Sequence, residues 1–370
     1  MLKNRKPLIY LGALLGFLSL ICVPALAQSH YNGQKIQKTF SVLPDALIRI
    51  QGKYGNIHIN TWEKLTAEVS IELIVKGGTD EDINTIIDRM TIEVKGDQKE
   101  VGIITDLEGV SHWNIINADD GPQLEIRFKD GEKVILTSFS FDYTLNIPRT
   151  NHLKVDALFS DLYLDDMIGK TEITLKYANL QVKKLQGPSL VNLSYSKGRL
   201  DQVGHGNWNV LHSQFSIESV DYLKMITQYS EINIDRSDSL ISHSKYNTYR
   251  FGKVNYLVAE EKNSELWVNH LSAWGDIHME YGSLAVKQLD KEFKNLNLEG
   301  SYTDMDIQVE KDANYELQLS SKYADIAFPE ILSVSQDVET EDSRKIIGSL
   351  GKAAKSNIHV SARHGKILIK

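Results

Sequence analysis

The chain has 370 residues, 41 of them basic and 49 acidic, for a formal net charge of −8, and it carries one cysteine, Cys22. A single thiol excludes an intramolecular disulfide framework and a thiolate metal cluster, so a chain of this length must be held by its own core. The acidic balance argues against nucleic acid and anionic lipid headgroups as partners, since both repel a negative surface.

Residues 1–27 read as an export signal. Lys3, Arg5 and Lys6 form a basic start, Leu8 to Val23 is an almost unbroken apolar run, and Pro24 breaks it before Ala25-Leu26-Ala27, a small-residue cleavage site. The run is short for a bilayer span, which needs about 20 residues. A lipid-modified Cys22 is the lesser reading, because Ser19-Leu20-Ile21 lacks the small residue such a site wants before the cysteine. No later apolar run is long enough to span a bilayer. The expected product is an exported chain with no transmembrane span: periplasmic, on the outer cell surface or secreted. Losing three basic residues would leave 38 basic against 49 acidic, or −11.

Residues 28–150 read as a small strand-rich α+β unit that merges with the repeats after residue 150. Val69, Ile71, Leu73 and Val75 alternate as a strand. Thr79 then caps a helix with Asp80, Glu81 and Asp82 in its first turn and Ile83, Ile86, Ile87 and Met90 on one face. This helix is expected to cover the end of the main body. Ile92 and Val94, then Val101 and Ile103, suggest two further strands. A hairpin is expected from Leu124, Ile126 and Phe128 through Asp130-Gly131 to Phe139, Phe141, Tyr143, Leu145 and Ile147. The stretch from Asp106 to Gln123 reads as a long insertion carrying His112, Trp113, Asp119 and Asp120. A loop with an exposed Trp can be a contact site; the alternative is that Trp113 is tucked onto the sheet.

From residue 151 to 331 one pattern recurs: an aromatic residue, a small one, a polar one, then apolar-x-apolar. It appears as Phe159-Ser-Asp-Leu162-x-Leu164 and Tyr177-Ala-Asn-Leu180-x-Val182, and continues at Tyr195, His212, Tyr229, Tyr246, Asn263, Tyr281, Tyr302 and Tyr323. Successive units are 18, 18, 17, 17, 17, 17, 18, 21 and 21 residues apart. Tyr54-Gly-Asn-Ile57-x-Ile59 and His364-Gly-Lys-Ile367-x-Ile369 repeat it outside the run. Each unit offers two short strands and two corners, with a second strand just before the aromatic (Ile173 and Leu175, Val191 and Leu193, Trp208 and Val210). Such a unit cannot enclose a core alone. Stacked about 4.8 Å apart, the units share one, and ten coils would make a rod of roughly 45–50 Å. The expected fold is therefore mainly all-β: a single-stranded β-solenoid (β-helix) of 17–21-residue coils with a small N-terminal α+β capping unit containing one helix. Residues 332–357 read as a polar insertion and 358–370 as the final coil and cap.

Ile173, Leu175 and Tyr177 share one parity, so alternation points the tyrosine inward or along the corner. An outward column that grips sugars is the other reading. The small residue after the ring is expected to take the tight turn, as Gly55, Gly282 and Gly365 suggest. His212 and His364 would line the core, while His58 and His278 fall between apolar strand positions and should face outward.

No catalytic, cofactor-binding or metal-binding residue is expected. The chain has no nucleophile elbow, no glycine-rich phosphate loop and no zinc-binding HExxH. A solenoid enzyme acting on polysaccharide would need acidic or basic groups clustered on adjacent coils. Asp161, Asp304 and Asp325 share one column with Glu231 and Glu265, but their neighbours do not repeat the charge, and they read as corner caps.

The Tyr-Gly-Asn-Ile-x-Ile repeat after a strand-helix-strand unit at residues 66–95 resembles the bacterial adhesin-like "toastrack" family of exported β-solenoids over residues 40–370. Most corners here hold Ser, Ala or Thr where that family prefers Gly-Asn or Gly-Asp. The resemblance implies an exported, non-enzymatic envelope or cell-surface protein, an adhesin-like binding or scaffold solenoid. Its partner would be a cell-surface glycan or an envelope protein. The alternatives are an enzyme on envelope or extracellular polysaccharide and the periplasmic arm of an envelope-stress sensing system.

Overall fold

The computed structural model describes residues 30–118, 121–351 and 354–370, with side chains from residue 35. The expected export signal lies outside the described residues, as do Asp119 and Asp120. Among the described residues no helix is long and apolar enough to cross a membrane.

The body is a β-solenoid. In five successive coils one strand runs from just after one corner to just before the next: Asn179–Ser194, Lys197–Leu211, Gln214–Gln228, Glu231–Lys245 and Thr248–Lys262. Neighbouring coils pair in parallel, so Leu180, Gly198, Phe215, Ile232, Tyr249 and Leu266 form one column. The spacing predicts two strands and two corners per coil. Only the aromatic corner breaks the strand in these coils, and the other is a bend that neighbouring backbones follow together.

The aromatic corner works differently from the expectation. Leu175 and Leu180 are both buried although five residues apart, a spacing that simple alternation cannot put on one face. Parity switches at Tyr177, which is left-handed at φ +56°. The same conformation, φ between +47° and +63°, recurs at Tyr54, Phe159, Tyr195, His212, Tyr229, Tyr246, Asn263, Tyr281, Tyr302, His364 and Tyr323. The ring takes the turn in place of the small residue after it, except at the last corner, where Gly365 is also at positive φ (+105°). Consequently the ring faces solvent and the small residue faces in. Tyr177 is 44% exposed, whereas Ala178 is 7%. Neither the inward tyrosines nor the core-lining His212 and His364 are found.

The buried small residue has its own task. Ser196 N–H donates to Ser213 Oγ (3.0 Å), Ser213 N–H to Ser230 Oγ (3.1 Å), Ser230 N–H to Asn247 Oδ1 (2.8 Å) and Asn247 N–H to Ser264 Oγ (3.1 Å). Each serine hydroxyl in turn donates to the carbonyl two residues before it, as Ser213 does to Leu211 at 2.7 Å. A buried N–H without an acceptor is costly, so a hydroxyl repeated every coil satisfies what the left-handed turn leaves over.

At the N-terminal end the first coil, Leu47–Trp62, pairs on one side with His152–Leu164. Its other side is covered in two halves, by Glu100–Leu107 and by Ser138–Pro148. Beyond these the pairing turns antiparallel, through Thr66–Lys76 to His30–Ser41 and through Met90–Gly96. The helix Asp80–Arg89 starts with the expected Thr79–Asp82 capping box. Arg89 pairs with Asp130 and Glu132, and Ile135 N–H reaches Asp82, so the helix lies on a separate three-stranded sheet. That sheet is Val110–Ala118, Gly121–Phe128 and Lys133–Leu136. The Asp130-Gly131 turn is where the sequence puts it, but its second arm is Lys133–Leu136. Ser138–Pro148 joins the large sheet instead, because its buried Phe141, Tyr143 and Leu145 complete the layer over Ile57 and Ile59.

At the other end chain order and spatial order part. Ser356–Ile369, the last strand in sequence, inserts between Asn295–Val309 and Tyr315–Ala327. Two antiparallel strands inside the expected polar insertion, Ser343–Leu350 and then Ser333–Glu339, finish the stack. The outermost is exposed along its whole length and carries Asp337 and Glu339, which suits an edge that must not recruit further strands.

Replacing Ser213 by Ala should leave the buried Ser196 N–H without an acceptor and lower stability by about 1–3 kcal/mol. Ser213→Thr keeps the hydroxyl, as Thr303 does at the equivalent place, and should cost less. Urea unfolding of the two variants beside the parent checks the order.

Candidate functional site

The outward rings form one ladder along the solenoid. Stacked centroids lie 5.9 Å apart from Tyr54 to Phe159, 5.1 Å to Tyr177 and again to Tyr195, then 4.8 Å to His212 and to Tyr229 and 4.9 Å to Tyr246. Asn263 interrupts the stack. It resumes at Tyr281 and Tyr302, 5.0 Å apart, and runs through His364 to Tyr323 at 4.4 and 5.2 Å. The interposed His364 follows directly from the insertion of the last strand. Seven of the tyrosines are between 44% and 48% exposed.

Left-handed backbone costs an ordinary L-residue roughly 1–2 kcal/mol, and Asn263 is the residue type that tolerates it best. Stacking of about 0.5–1.5 kcal/mol per ring pair offsets that cost at the other corners. Because neighbours cover their faces, the rings offer edges and hydroxyls to solvent.

Trp113 closes the N-terminal end of the ladder. It lies on the hairpin strand Val110–Ala118 and meets Tyr54 at 5.1 Å and Phe159 at 4.9 Å, both edge-on. It is half-buried, while His112, one residue before, is exposed and points away with its Nδ1 3.3 Å from Ser111 Oγ. The structure thus joins Trp113 to the ladder and leaves His112 apart from it.

On the side of the residues preceding each ring runs a groove of about 1060 Å³. An ion pair and two imidazole–carboxylate contacts line it: Lys262 with Glu280 at 2.7 Å, His243 beside Glu260 at 2.8 Å and His278 beside Glu299 at 3.2 Å. On the other side a shallower space of about 690 Å³ follows Tyr195, His212, Tyr229 and Tyr246. The ladder is the ridge between the two.

Two members of the acidic column cap corners, while Glu231 meets the side chains of Arg250 and Gln214. Asp161 accepts from Asn179 N–H at 2.7 Å, and Asp304 from Lys366 N–H at 2.9 Å. Lys366 therefore separates Asp304 from Asp325, which do not stack on each other. His58 is exposed as expected, stacked on Tyr163 at 4.5 Å. Among the described residues no group of three or more His, Cys, Asp or Glu is placed to hold a metal ion.

One buried acid escaped the sequence reading. Glu261 is 4% exposed on the groove floor, accepting hydrogen bonds from Ser242 and Ser244. Burial pushes its carboxyl up to about 7, against the pull of those hydroxyls and Ser264. Within Glu260-Glu261-Lys262 it resembles a solvated charge run. Its column says otherwise: two residues before each ring stand Leu175, Leu193 and Val210, then Thr227, Ser244 and Glu261, then Met279. The interior turns polar for three consecutive coils.

Tyr229→Ala should lose two stacks, with His212 and Tyr246, at about 1–3 kcal/mol in total. Tyr229→Gly loses the same stacks but relieves the left-handed turn, so it should be the milder change in a urea titration. Glu261 gives a pH dependence of fixed sign. Folded, it holds its proton to about pH 7, against an ordinary value of 4.5. Its contribution is complete below the ordinary value and is lost as pH rises through 7, about 3 kcal/mol in all. Unfolding midpoints of Glu261→Gln should be flatter across that range than those of the parent.

No curated protein sequence matches the chain. Solved structures resemble it at low identity. A "putative cell adhesion protein" from Clostridium sporogenes is 9% identical, with 91% of this chain and 99% of that one covered and a TM-score of 0.17. A "putative adhesin" from Parabacteroides distasonis is 14% identical over 75% and 94%, at 0.30. A "putative lipid binding protein" from the same organism is 11% identical over the same shares, also at 0.30. The Toastrack DUF4097 family matches residues 116–370, which include the left-handed aromatic corners from Phe159 onward. With more than half its length matched and those corners in place, the chain belongs to the Toastrack DUF4097 family.

Proposed function

We propose that this chain is a non-enzymatic binding or scaffold protein of the cell envelope or cell surface, adhesin-like, that meets its partner through the exposed ring ladder. The observation that carries this reading is the ladder itself. Tyrosines in a line, each nearly half exposed, form the kind of surface that dominates recognition interfaces, because the ring adds contact area while its hydroxyl stays wet. The coils hold the rings in place before any partner arrives, so little ordering entropy is lost on contact. A cell-surface glycan or an envelope protein is the partner class. Of the expected contact residues Trp113, His112, Asp119 and Asp120, Trp113 alone enters this reading, extending the ladder at its first rung.

The test is a glycan and whole-cell binding screen of residues 28–370. Tyr195→Gly with Tyr229→Gly removes two rungs, and Trp113→Ala serves as comparison. Binding should fall about tenfold or more in the double variant, equivalent to roughly 1.4 kcal/mol, with its strand spectrum unchanged. Retention of full binding by the folded double variant would overturn the ladder as contact surface. Loss confined to Trp113→Ala would move the contact to the hairpin.

A further inference from the structure

The groove beside the ladder is unevenly charged. Each of its surface acids has a contact: Glu280 pairs with Lys262, while Glu260 and Glu299 meet the rings of His243 and His278. Three of its cations have none. Among the described residues Lys245, Lys322 and Arg363 make no ion pair or side-chain hydrogen bond, and all three are exposed. Lys322 only leans over the Tyr323 ring at 5.2 Å.

Register places these cations along one line. Lys245 lies beside Lys262, which lies beside Glu280, then come Ser301, Arg363 and Lys322. At about 4.8 Å per coil, Lys245 and Lys322 stand about 24 Å apart, with Arg363 next to Lys322. Around Arg363 and Lys322 the lining is short and hydroxylated, at Ser301, Ser320 and Ser361, while Glu260, Glu280 and Glu299 lie between that end and Lys245. The line runs parallel to the ladder, because each of its members directly precedes a corner residue.

We infer that this groove binds an extended acidic polysaccharide, its carboxylates or sulfates meeting Lys245, Lys322 and Arg363 and its hydroxyls meeting the groove serines, with the tyrosine edges as one rim. The inference rests on the ladder reading and specifies its ligand. The chain as a whole is negative, at −8, so long-range attraction to a polyanion is absent and capture depends on these local unpaired cations. A neutral glycan would leave them unused. A compact anion could not reach both ends of the line.

The experiment uses immobilised polygalacturonate, dextran sulfate, neutral dextran and inorganic polyphosphate, with residues 28–370 and the triple variant Lys245→Gln/Lys322→Gln/Arg363→Gln. Retention on polygalacturonate or dextran sulfate, reduced about tenfold or more in the variant and weakened by salt, is the expected result. The ladder variant Tyr195→Gly/Tyr229→Gly separates the two claims. If whole-cell binding needs the ladder while the triple variant binds every probe as the parent does, the groove inference fails and the ladder reading stands. Equal, cation-dependent capture of polyphosphate would reduce the groove to a charge trap and overturn its glycan character. Binding to dextran alone would overturn its acidic class.

Discussion

The structure depends on one constraint: a backbone that must turn once per coil while its neighbours above and below stay paired. The turn is made by a single left-handed residue, and everything distinctive about the molecule stems from it. It moves the side-chain parity by one, so the ring swings out and the next side chain swings in. It leaves an N–H that the serine column accepts. Stacking the displaced rings returns part of the strain as ring-ring attraction. The exposed ridge is thus a by-product of folding, and the same side chains set both the stability of the corners and the character of the surface.

The interior shows a second compromise. From Ala157 to Val210 the column two residues before the ring is aliphatic, and the coils close on it. At Thr227, Ser244 and Glu261 that column is polar, with Tyr249 and Asn247 beside it. A carboxyl enclosed this way is tolerated because hydroxyls donate to it and because it can remain protonated near neutrality. These three coils also border the groove, where His243, Glu260 and Lys262 project outward from the same strands. Polar packing within and charge pairing outside therefore coincide along the stack.

Both ends of the stack solve the open-edge problem in the same way, by changing from parallel to antiparallel pairing. At the N-terminal end the strands that make the switch are accompanied by a separate three-stranded sheet with the helix upon it, packed into the same core. At the C-terminal end it requires the chain to pass its final position, make two outer strands, and return to fill the gap. The second solution ties the last residues into the middle of a sheet, with partners on both sides.

The coil period, the apolar columns, the parallel stacking and the capped helix at Thr79 were readable from residue spacing alone, because backbone pairing at a fixed rise forces like onto like in every coil. The direction of the rings was not, since alternation is a local rule and one left-handed residue cancels it; only the odd spacing from Leu175 to Leu180 hinted at the break. Nor were the place of the last strand and the burial of Glu261. Which strand fills a gap depends on edges far apart in sequence, and whether a charge is enclosed depends on the coils stacked around it.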